Sequence, residues 1–529
     1  MNRRRFLELA GGLATGAMLS CTGAQEAERR RLTSFRTGLS NGPRWAEFPA
    51  EHRDLLLPEA ARPAGVLELF MLGGVSPWES FYTIPEYGHP DGGGPYAGQQ
   101  WWTFQNWGAV TVPQLQATCG MASRAPYEPF RTDALGMTVN LGPFVMPLRD
   151  RPDILARMRV WVLAHDSQPH EAAIPLAITG SRLGLQRLAS FGSHIQRYHL
   201  ERAPSGRTAP FAYNVIQAQP FGNRIDSVRA TGLHPAPARP LDIRLGPSPA
   251  LADRLARPTF GGHRGAADAL IAHYAQRYRE RMTSGAGSQG MRAPGLDDFE
   301  FVRATLQNHE DLAELITTER LRSSERASCG GDLMRDETTT GLRLAASLLT
   351  APQNAAKYVQ VVDGGIYPDP NGMGYDSHPE HVVSQGANII HGLDALCAVI
   401  NAPGENDPEK LDLDRHFVLV NTEFGRSPYP EYTKSNPNGL GTNHWPWGYV
   451  IVGFGAFADA ARSGIVGAIG EDSLAVSAIT PAEHRAATLL AMGIWPFEPE
   501  TFGVADVKGA NDRAEAALRL RTHVLGYTT

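Results

Sequence analysis

The chain has 529 residues, an apolar share of 42% and a formal net charge of −6, which together indicate a globular protein with a sizeable core. The excess of acidic side chains argues against a nucleic-acid partner held by bulk charge, because phosphate backbones bind basic surfaces. The sequence also has no apolar run of the roughly 18 residues that a membrane-spanning helix needs.

The first residues are typical of an export signal. An arginine run at positions 3–5 precedes Phe6, Leu7 and a short, weakly apolar stretch, which predicts a twin-arginine signal over 1–24. Cys21 lies near the end of this stretch, so the signal ends either in lipidation of Cys21 or in simple cleavage nearby. We therefore predict a periplasmic, cell-envelope or extracellular protein, whose only link to a membrane would be a lipid anchor at Cys21 if that residue is lipidated.

The other three cysteines lie far apart and lack Cys-x-x-Cys spacing, which argues against a cysteine-based metal cluster. In an oxidising compartment Cys119 and Cys329 can form a disulfide, although the sequence does not establish this pairing. Cys397 falls within an apolar helical pattern, and we predict that it belongs to the core.

Short apolar runs with little alternation predict strands that are buried on both faces of a parallel sheet. These runs cover 66–72, 160–164, 358–362, 417–420 and 449–452. Helical patterns cover 266–281, 297–349, 380–400 and 481–492. Strands that alternate with helices predict an α/β, doubly wound fold.

The composition divides the chain into five kinds of segment. We expect the signal at 1–24, a polar tether at 25–60, one α/β domain at 61–505, two rim insertions at 89–130 and 190–292, and a C-terminal tail at 506–529. The first insertion is rich in glycine, proline and aromatic residues, and the second is rich in arginine and proline. One sheet domain with two insertions explains the length better than several independent domains.

Polar side chains gather where the predicted strands end. In open α/β sheets ligands bind beyond the carboxyl ends of the strands. The segments at these ends are Gly73-Gly74, 165–171, the loop that reaches Asp376 and His378, 423–426, and the stretch 441–445 just ahead of the last run. We therefore predict a shared polar site at one edge of the sheet.

Asp376 and His378 are two residues apart, so on an extended loop both side chains turn to the same side. A carboxylate with an imidazole suits zinc, manganese or iron. Simpler roles stay open at each position. The Asp376 loop could be held by capping, Glu423 could pair with Arg426, and His444 could be a packing residue.

Four of these motifs, in this order, carry a family resemblance. The glycine pair, Asp-Ser-His at 376–378, Glu-Phe-Gly-Arg-Ser-Pro at 423–428 and Gly-Thr-Asn-His-Trp-Pro at 441–446 resemble an uncharacterised twin-arginine-exported family within the alkaline phosphatase and sulfatase superfamily. The resemblance covers most of 66–503 and implies an alkaline-phosphatase-like fold, a mostly parallel sheet flanked by helices. It also implies first-metal ligands at Asp376, His378 and His444, with Glu423 at a second-metal position.

The sequence departs from the superfamily pattern at the second metal. The aspartate expected after the first strand is absent, and Phe424 stands in place of a second-metal histidine. No serine or threonine aligns as the nucleophile, and the nearest candidates are Ser167 and His170. The first metal site therefore looks kept and the second eroded, while Arg426 could clamp an anionic group.

These observations predict an exported, metal-dependent hydrolase that acts on a phosphate or sulfate ester of a small molecule or glycan. The metal would be zinc, with calcium or manganese as alternatives, and it would polarise the ester oxygen while Ser167 or His170 attacks or moves a proton. The alternative is a non-catalytic binding or assembly protein of the cell envelope that keeps the fold with an eroded site. A redox enzyme has little support, because the sequence lacks a Cys-x-x-Cys-His motif and a dinucleotide glycine fingerprint.

Overall fold

The computed structural model describes residues 44–87, 112–121, 127–202, 212–217, 222–245, 264–284, 329–330, 336–352, 355–366, 373–432 and 439–528. The predicted signal at 1–24, Cys21 and most of the predicted insertion at 89–130 lie outside these residues. Within the described part of the chain, no helix combines the length and the apolar character needed to cross a membrane.

The strands alternate with helices along the chain. The strands are β1 Gly65–Met71, β2 Glu128–Thr132, β3 Thr138–Leu141, β4 Met158–Leu163, β5 Tyr213–Gln217, β6 Leu241–Arg244, β7 Tyr358–Asp363, β8 His416–Asn421, β9 Gly425–Arg426, β10 His444–Trp445, β11 Tyr449–Gly455, β12 Gly464–Val466, β13 Ala468–Ile469 and β14 Ala475–Ser477. The α-helices are α1 Val112–Thr118, α2 Met146–Arg149, α3 Pro152–Leu155, α4 His170–Thr179, α5 Phe191–Leu200, α6 Arg264–Ser284, α7 Glu337–Thr350, α8 Val382–Ala398, α9 Pro481–Ala491 and α10 Arg513–Arg519.

Eight strands form one large sheet in the order β12-β4-β11-β8-β1-β7-β5-β6. Every strand of this sheet runs parallel to the others except β11, which is antiparallel to both of its neighbours, β4 and β8. The α/β fold predicted from the sequence is confirmed, and each of the five predicted strands is present in the sheet.

Burial on both faces explains why the strands lack an alternating pattern. All seven residues of β1 are buried. Leu67 and Leu69 join one apolar cluster, whereas Val66 and Phe70 join the cluster on the opposite face. Since helices pack on both sides, both faces of each central strand must be apolar.

A charged pair interrupts this apolar core. Glu68, in the middle of β1, forms a bidentate ion pair with Arg485 of α9, at 2.6 and 2.8 Å. Arg485 also donates from Nε to the carbonyl oxygen of Ala177, in the last turn of α4, at 2.9 Å. Glu68 is fully buried and Arg485 nearly so, and a cation at the carboxyl end of α4 complements the helix dipole. The pair therefore joins β1, α4 and α9.

Three of the predicted segments contribute to the large sheet or to the core. Strands β5 and β6 fall within the predicted insertion at 190–292, yet they form one edge of the large sheet. In the predicted tether, the side chains of Trp45 and Leu57 are buried in the core. Leu520, in the predicted tail, is buried in the same apolar cluster.

Of the three cysteines that the structure describes, two form a disulfide and one is a free thiol. Cys119 and Cys329 form a disulfide and are both buried, and they are 210 residues apart in sequence. Cys397 is a free, half-buried cysteine on α8. Burial raises the pKa of the Cys397 thiol to about 12, so this side chain is a protonated thiol at neutral pH.

Candidate metal centre

Three loops at the sheet edge bring a cluster of potential metal ligands together. His170 is the first residue of α4, Asp376 and His378 lie in the loop between β7 and α8, and His444 begins β10. One nitrogen or oxygen atom from each of these four side chains lies within 4.8 Å of all the others. Because β11 is antiparallel to its neighbours, its amino-terminal end lies at this edge of the sheet. His444 comes shortly before β11 in the chain and therefore lies at the same edge.

Each histidine of the cluster has its Nδ1 atom held by an acceptor outside the cluster. A carboxylate or a carbonyl oxygen can only accept, so in the neutral form of each ring the proton lies on Nδ1 and the Nε2 lone pair faces inward. The contacts are His170 Nδ1 to Glu423 Oε1 at 2.8 Å, His378 Nδ1 to Glu431 Oε2 at 2.6 Å, and His444 Nδ1 to the Gln168 carbonyl oxygen at 2.8 Å.

The inward-facing atoms are acceptors crowded together. Nε2 of His378 lies 2.9 Å from Nε2 of His444 and 3.3 Å from Oδ1 of Asp376. Nε2 of His170 is buried, lies 3.4 Å from Oδ2 of Asp376, and has no hydrogen-bond partner among the described residues. Lone pairs at these distances repel one another unless a cation or a proton lies between them. The cluster can therefore hold a metal ion.

Arg426 sets the charge of Asp376. Its Nη2 atom lies 2.6 Å from Oδ1 of Asp376 and also donates to the carbonyl oxygen of Gly73. Burial pushes the pKa of Asp376 upward, but the Arg426 charge and the neighbouring histidines outweigh burial and hold it below its usual range. Asp376 is therefore a carboxylate at neutral pH. The ion pair of Arg426 is with Asp376, whereas the sequence suggested one with Glu423.

The two remaining pKa shifts show how the cluster balances its charge without a metal. Burial lowers the pKa of His170, but the nearby carboxylates of Asp376 and Glu423 outweigh burial and raise it to about 9. Burial and the charge of Arg426 lower the pKa of His444 to about 2. In the metal-free protein the positive charge of the cluster is thus on His170, opposite two carboxylates.

The glycine pair after β1 permits the close approach of these loops. Gly73 and Gly74 have φ angles of 127° and 98°, which residues other than glycine rarely adopt. A Cβ atom on Gly73 would lie 2.3 Å from the backbone nitrogen of Asp376, and one on Gly74 would lie 2.7 Å from the Phe424 ring. The backbone nitrogen of Gly73 also donates to Oε1 of Glu423 at 2.9 Å.

Phe424 forms an apolar floor under the cluster. Its fully buried ring stacks on His444 with centroids 4.5 Å apart and packs against His170 at 4.9 Å. A phenyl ring has no lone pair to offer a metal ion, so Phe424 adds no ligand on this side. The donors of the cluster therefore surround a single position.

The structure brings together three of the four predicted ligands, Asp376, His378 and His444. It places Glu423 behind His170, so Glu423 holds the imidazole, and His170 takes the place in the cluster that the sequence assigned to Glu423. Ser167 is half-buried, and its backbone nitrogen donates to Nδ1 of His165 at 3.1 Å. Sequence reasoning did not identify Glu431, because no local pattern links it to His378.

We compared the chain with protein-family models, with curated proteins and with solved structures, and none of them matches it. The site is therefore assigned from its geometry alone.

Proposed function

We propose that the protein is an exported, metal-dependent hydrolase that acts on a phosphate or sulfate ester, with zinc bound by His170, Asp376, His378 and His444. The observation that carries the proposal is the convergence of three imidazole nitrogens and one carboxylate oxygen within 4.8 Å. Imidazole and carboxylate are ligands that zinc prefers. The predicted export signal and the sequence resemblance to the alkaline phosphatase and sulfatase superfamily support the same assignment.

When bound, the metal would supply a Lewis acid that polarises an ester oxygen and stabilises the charge that develops on it. Glu423 and Glu431 would hold two of the imidazoles in the orientation and tautomer required for binding, as carboxylates do in known zinc sites. Arg426 would keep Asp376 ionised and occupy Oδ1, which leaves Oδ2 on the side of His170.

The open side of the centre suggests where a substrate would approach. The side chain of His378 is 36% exposed, whereas those of His170 and Asp376 are each 9% exposed. Ser167 lies in the loop 165–169, whose Gln168 carbonyl oxygen contacts His444. We propose Ser167 as the group that attacks the ester or passes a proton. The buried guanidinium of Arg426 would act on the substrate only through Asp376.

Elemental analysis and turnover test the proposal together. Purified protein should contain about one zinc per chain, and zinc should be required for hydrolysis of an aryl phosphate or an aryl sulfate. His378→Ala should lose both properties, whereas His273→Ala, a change at an exposed histidine of α6, should keep both. Protein that binds no divalent metal in any of these assays would refute the proposal.

One observation favours a different non-catalytic protein, in which the metal site is kept and is structural, and not the eroded site that the sequence left open. The four protein donors already suffice for a tetrahedral zinc ion, and closed four-ligand sites are typically structural. In that case zinc would raise the melting temperature of the wild type but not that of His378→Ala, and neither ester would be hydrolysed. Turnover that chelation abolishes and added zinc restores would exclude this alternative.

A further inference from the structure

A second polar cluster lies directly behind the metal-binding loops. It consists of Ser377, Thr442 and His381, all three fully buried. Ser377 stands between Asp376 and His378 in sequence, and Thr442 stands two residues before His444. The cluster therefore touches the backbone of both loops that carry ligands.

The hydrogen bonds within this cluster link the two loops. Oγ of Ser377 lies 2.8 Å from Oγ1 of Thr442, and each hydroxyl lies 3.1 Å from Nδ1 of His381. Nδ1 has one lone pair, so one hydroxyl donates to it and the other donates to the first hydroxyl. All three groups are satisfied only when both loops are in place.

A carboxylate lies on the other side of the imidazole. Nε2 of His381 lies 3.3 Å from Oε1 of Glu79, a fully buried carboxylate that accepts a hydrogen bond from the Ser76 hydroxyl. A carboxylate on this side favours the tautomer with the ring proton on Nε2 and with Nδ1 as the acceptor. The backbone nitrogen of His381 donates to the carbonyl oxygen of Leu440 at 2.9 Å, which ties the ring to the second loop as well.

The backbones of the two loops are in direct contact at the same place. The backbone nitrogen of Thr442 donates to the carbonyl oxygen of Ser377 at 3.0 Å. A Cβ atom on Gly441 would lie 1.8 Å from the carbonyl oxygen of His378, so only glycine fits here. The separation of His378 and His444 is therefore set by contacts that do not involve their imidazole rings.

We infer that Ser377, Thr442 and His381 form a hydroxyl–imidazole clamp that positions His378 and His444 for metal binding. The inference rests on the proposed metal site and adds positioning residues to it. The clamp residues are buried and do not touch the metal position, so they act through the loops. Loss of one hydroxyl leaves the imidazole or the other hydroxyl unsatisfied in a buried site, and the loops can then separate.

A matched pair of variants tests the clamp. Thr442→Val keeps the shape of the side chain and removes the hydroxyl, whereas Thr442→Ser keeps the hydroxyl and removes the methyl group. Zn²⁺ affinity would be measured by competition with a chromophoric chelator. The visible absorption bands of the Co²⁺-substituted protein would report the coordination geometry, and urea unfolding of the metal-free protein would report stability. Ser377→Ala provides a second variant should Thr442→Val fail to fold.

We expect Thr442→Val to weaken Zn²⁺ binding about tenfold or more and to change the Co²⁺ bands, with Thr442→Ser close to the wild type in both. Wild-type affinity and an unchanged Co²⁺ spectrum in both Thr442→Val and Ser377→Ala would overturn the clamp while leaving the metal site standing. A weaker affinity that follows only the loss of stability of the metal-free protein would also overturn it. A wild-type protein that binds no metal would overturn both the clamp and the proposed function.

Discussion

The buried pair of Glu68 and Arg485 allows a quantitative prediction that does not depend on the proposed function. We consider Arg485→Met, which keeps most of the side-chain length and removes the charge. In the variant the Glu68 carboxylate loses both of its guanidinium contacts, at 2.6 and 2.8 Å, and stays fully buried. The Ala177 carbonyl oxygen loses its hydrogen bonds from the same side chain.

The size of the effect follows from what remains around Glu68. Burial pushes the pKa of Glu68 upward, but Arg485 and the hydrogen bonds from Tyr358 and Asn421 outweigh burial and lower it. The donors that remain in the variant are the Tyr358 hydroxyl at 2.6 Å and the side-chain amides of Asn421 at 2.9 Å and Gln360 at 3.2 Å. They soften the loss of the ion pair but do not supply a counter-charge. We therefore expect Arg485→Met to lower the free energy of unfolding by about 3–5 kcal/mol.

Urea unfolding followed by tryptophan fluorescence measures this loss. The matched control is Arg182→Met, which removes an arginine from an exposed pair with Asp166 and should change the stability little. Adding Glu68→Gln to Arg485→Met removes the isolated charge, so the double variant should recover part of the loss. A loss below about 1 kcal/mol in Arg485→Met, or a double variant as unstable as the sum of the single changes, would refute the reasoning.

Three further predictions concern other parts of the chain. Glu423→Gln removes the carboxylate behind the first imidazole of the centre and should weaken Zn²⁺ binding about tenfold in chelator competition, so unchanged affinity would contradict its role. Reduction of the disulfide, or Cys119→Ser with Cys329→Ser, should cost up to about 5 kcal/mol in urea unfolding, because the bond closes a long loop. Burial raises the pKa of Asp336, but its hydrogen bond from His391 outweighs burial and lowers it to about 2. The resulting stabilisation is complete above the unfolded pKa of about 3.8 and is lost as the pH falls through about 2. Asp336→Asn should therefore be about 2 kcal/mol less stable than the wild type at pH 6 and nearly as stable as the wild type below pH 2. A difference in stability that does not change with pH would contradict this.

The sequence predicted the central strands because burial on both faces makes their residues uniformly apolar. It missed β5 and β6, since these two short strands at one side of the sheet lie between stretches rich in arginine and proline that favour loops. The sequence predicted a mostly parallel sheet but not that β11 is its antiparallel strand, because a buried antiparallel strand has the same composition as a buried parallel one.

The sequence predicted where the candidate site lies, but not which side chains contact one another there. Strand ends locate the sheet edge, so the clustering of Asp376, His378 and His444 follows from chain order and topology. Which of His170 and Glu423 faces the centre depends on the direction of each side chain, and residue order does not fix this. The position of His170 just after a proline, at the start of a helix, is the signal that could have favoured it.

The antiparallel direction of β11 has a consequence for the stage of folding at which a metal ion can bind. Because His444 precedes this strand and His170 opens α4, a metal ion bound by all four donors needs β4, β11 and β8 to be paired in the sheet. A nascent chain that ends before position 444 lacks one donor. Metal acquisition would then report that folding is complete, which suits the proposed export of an already folded protein.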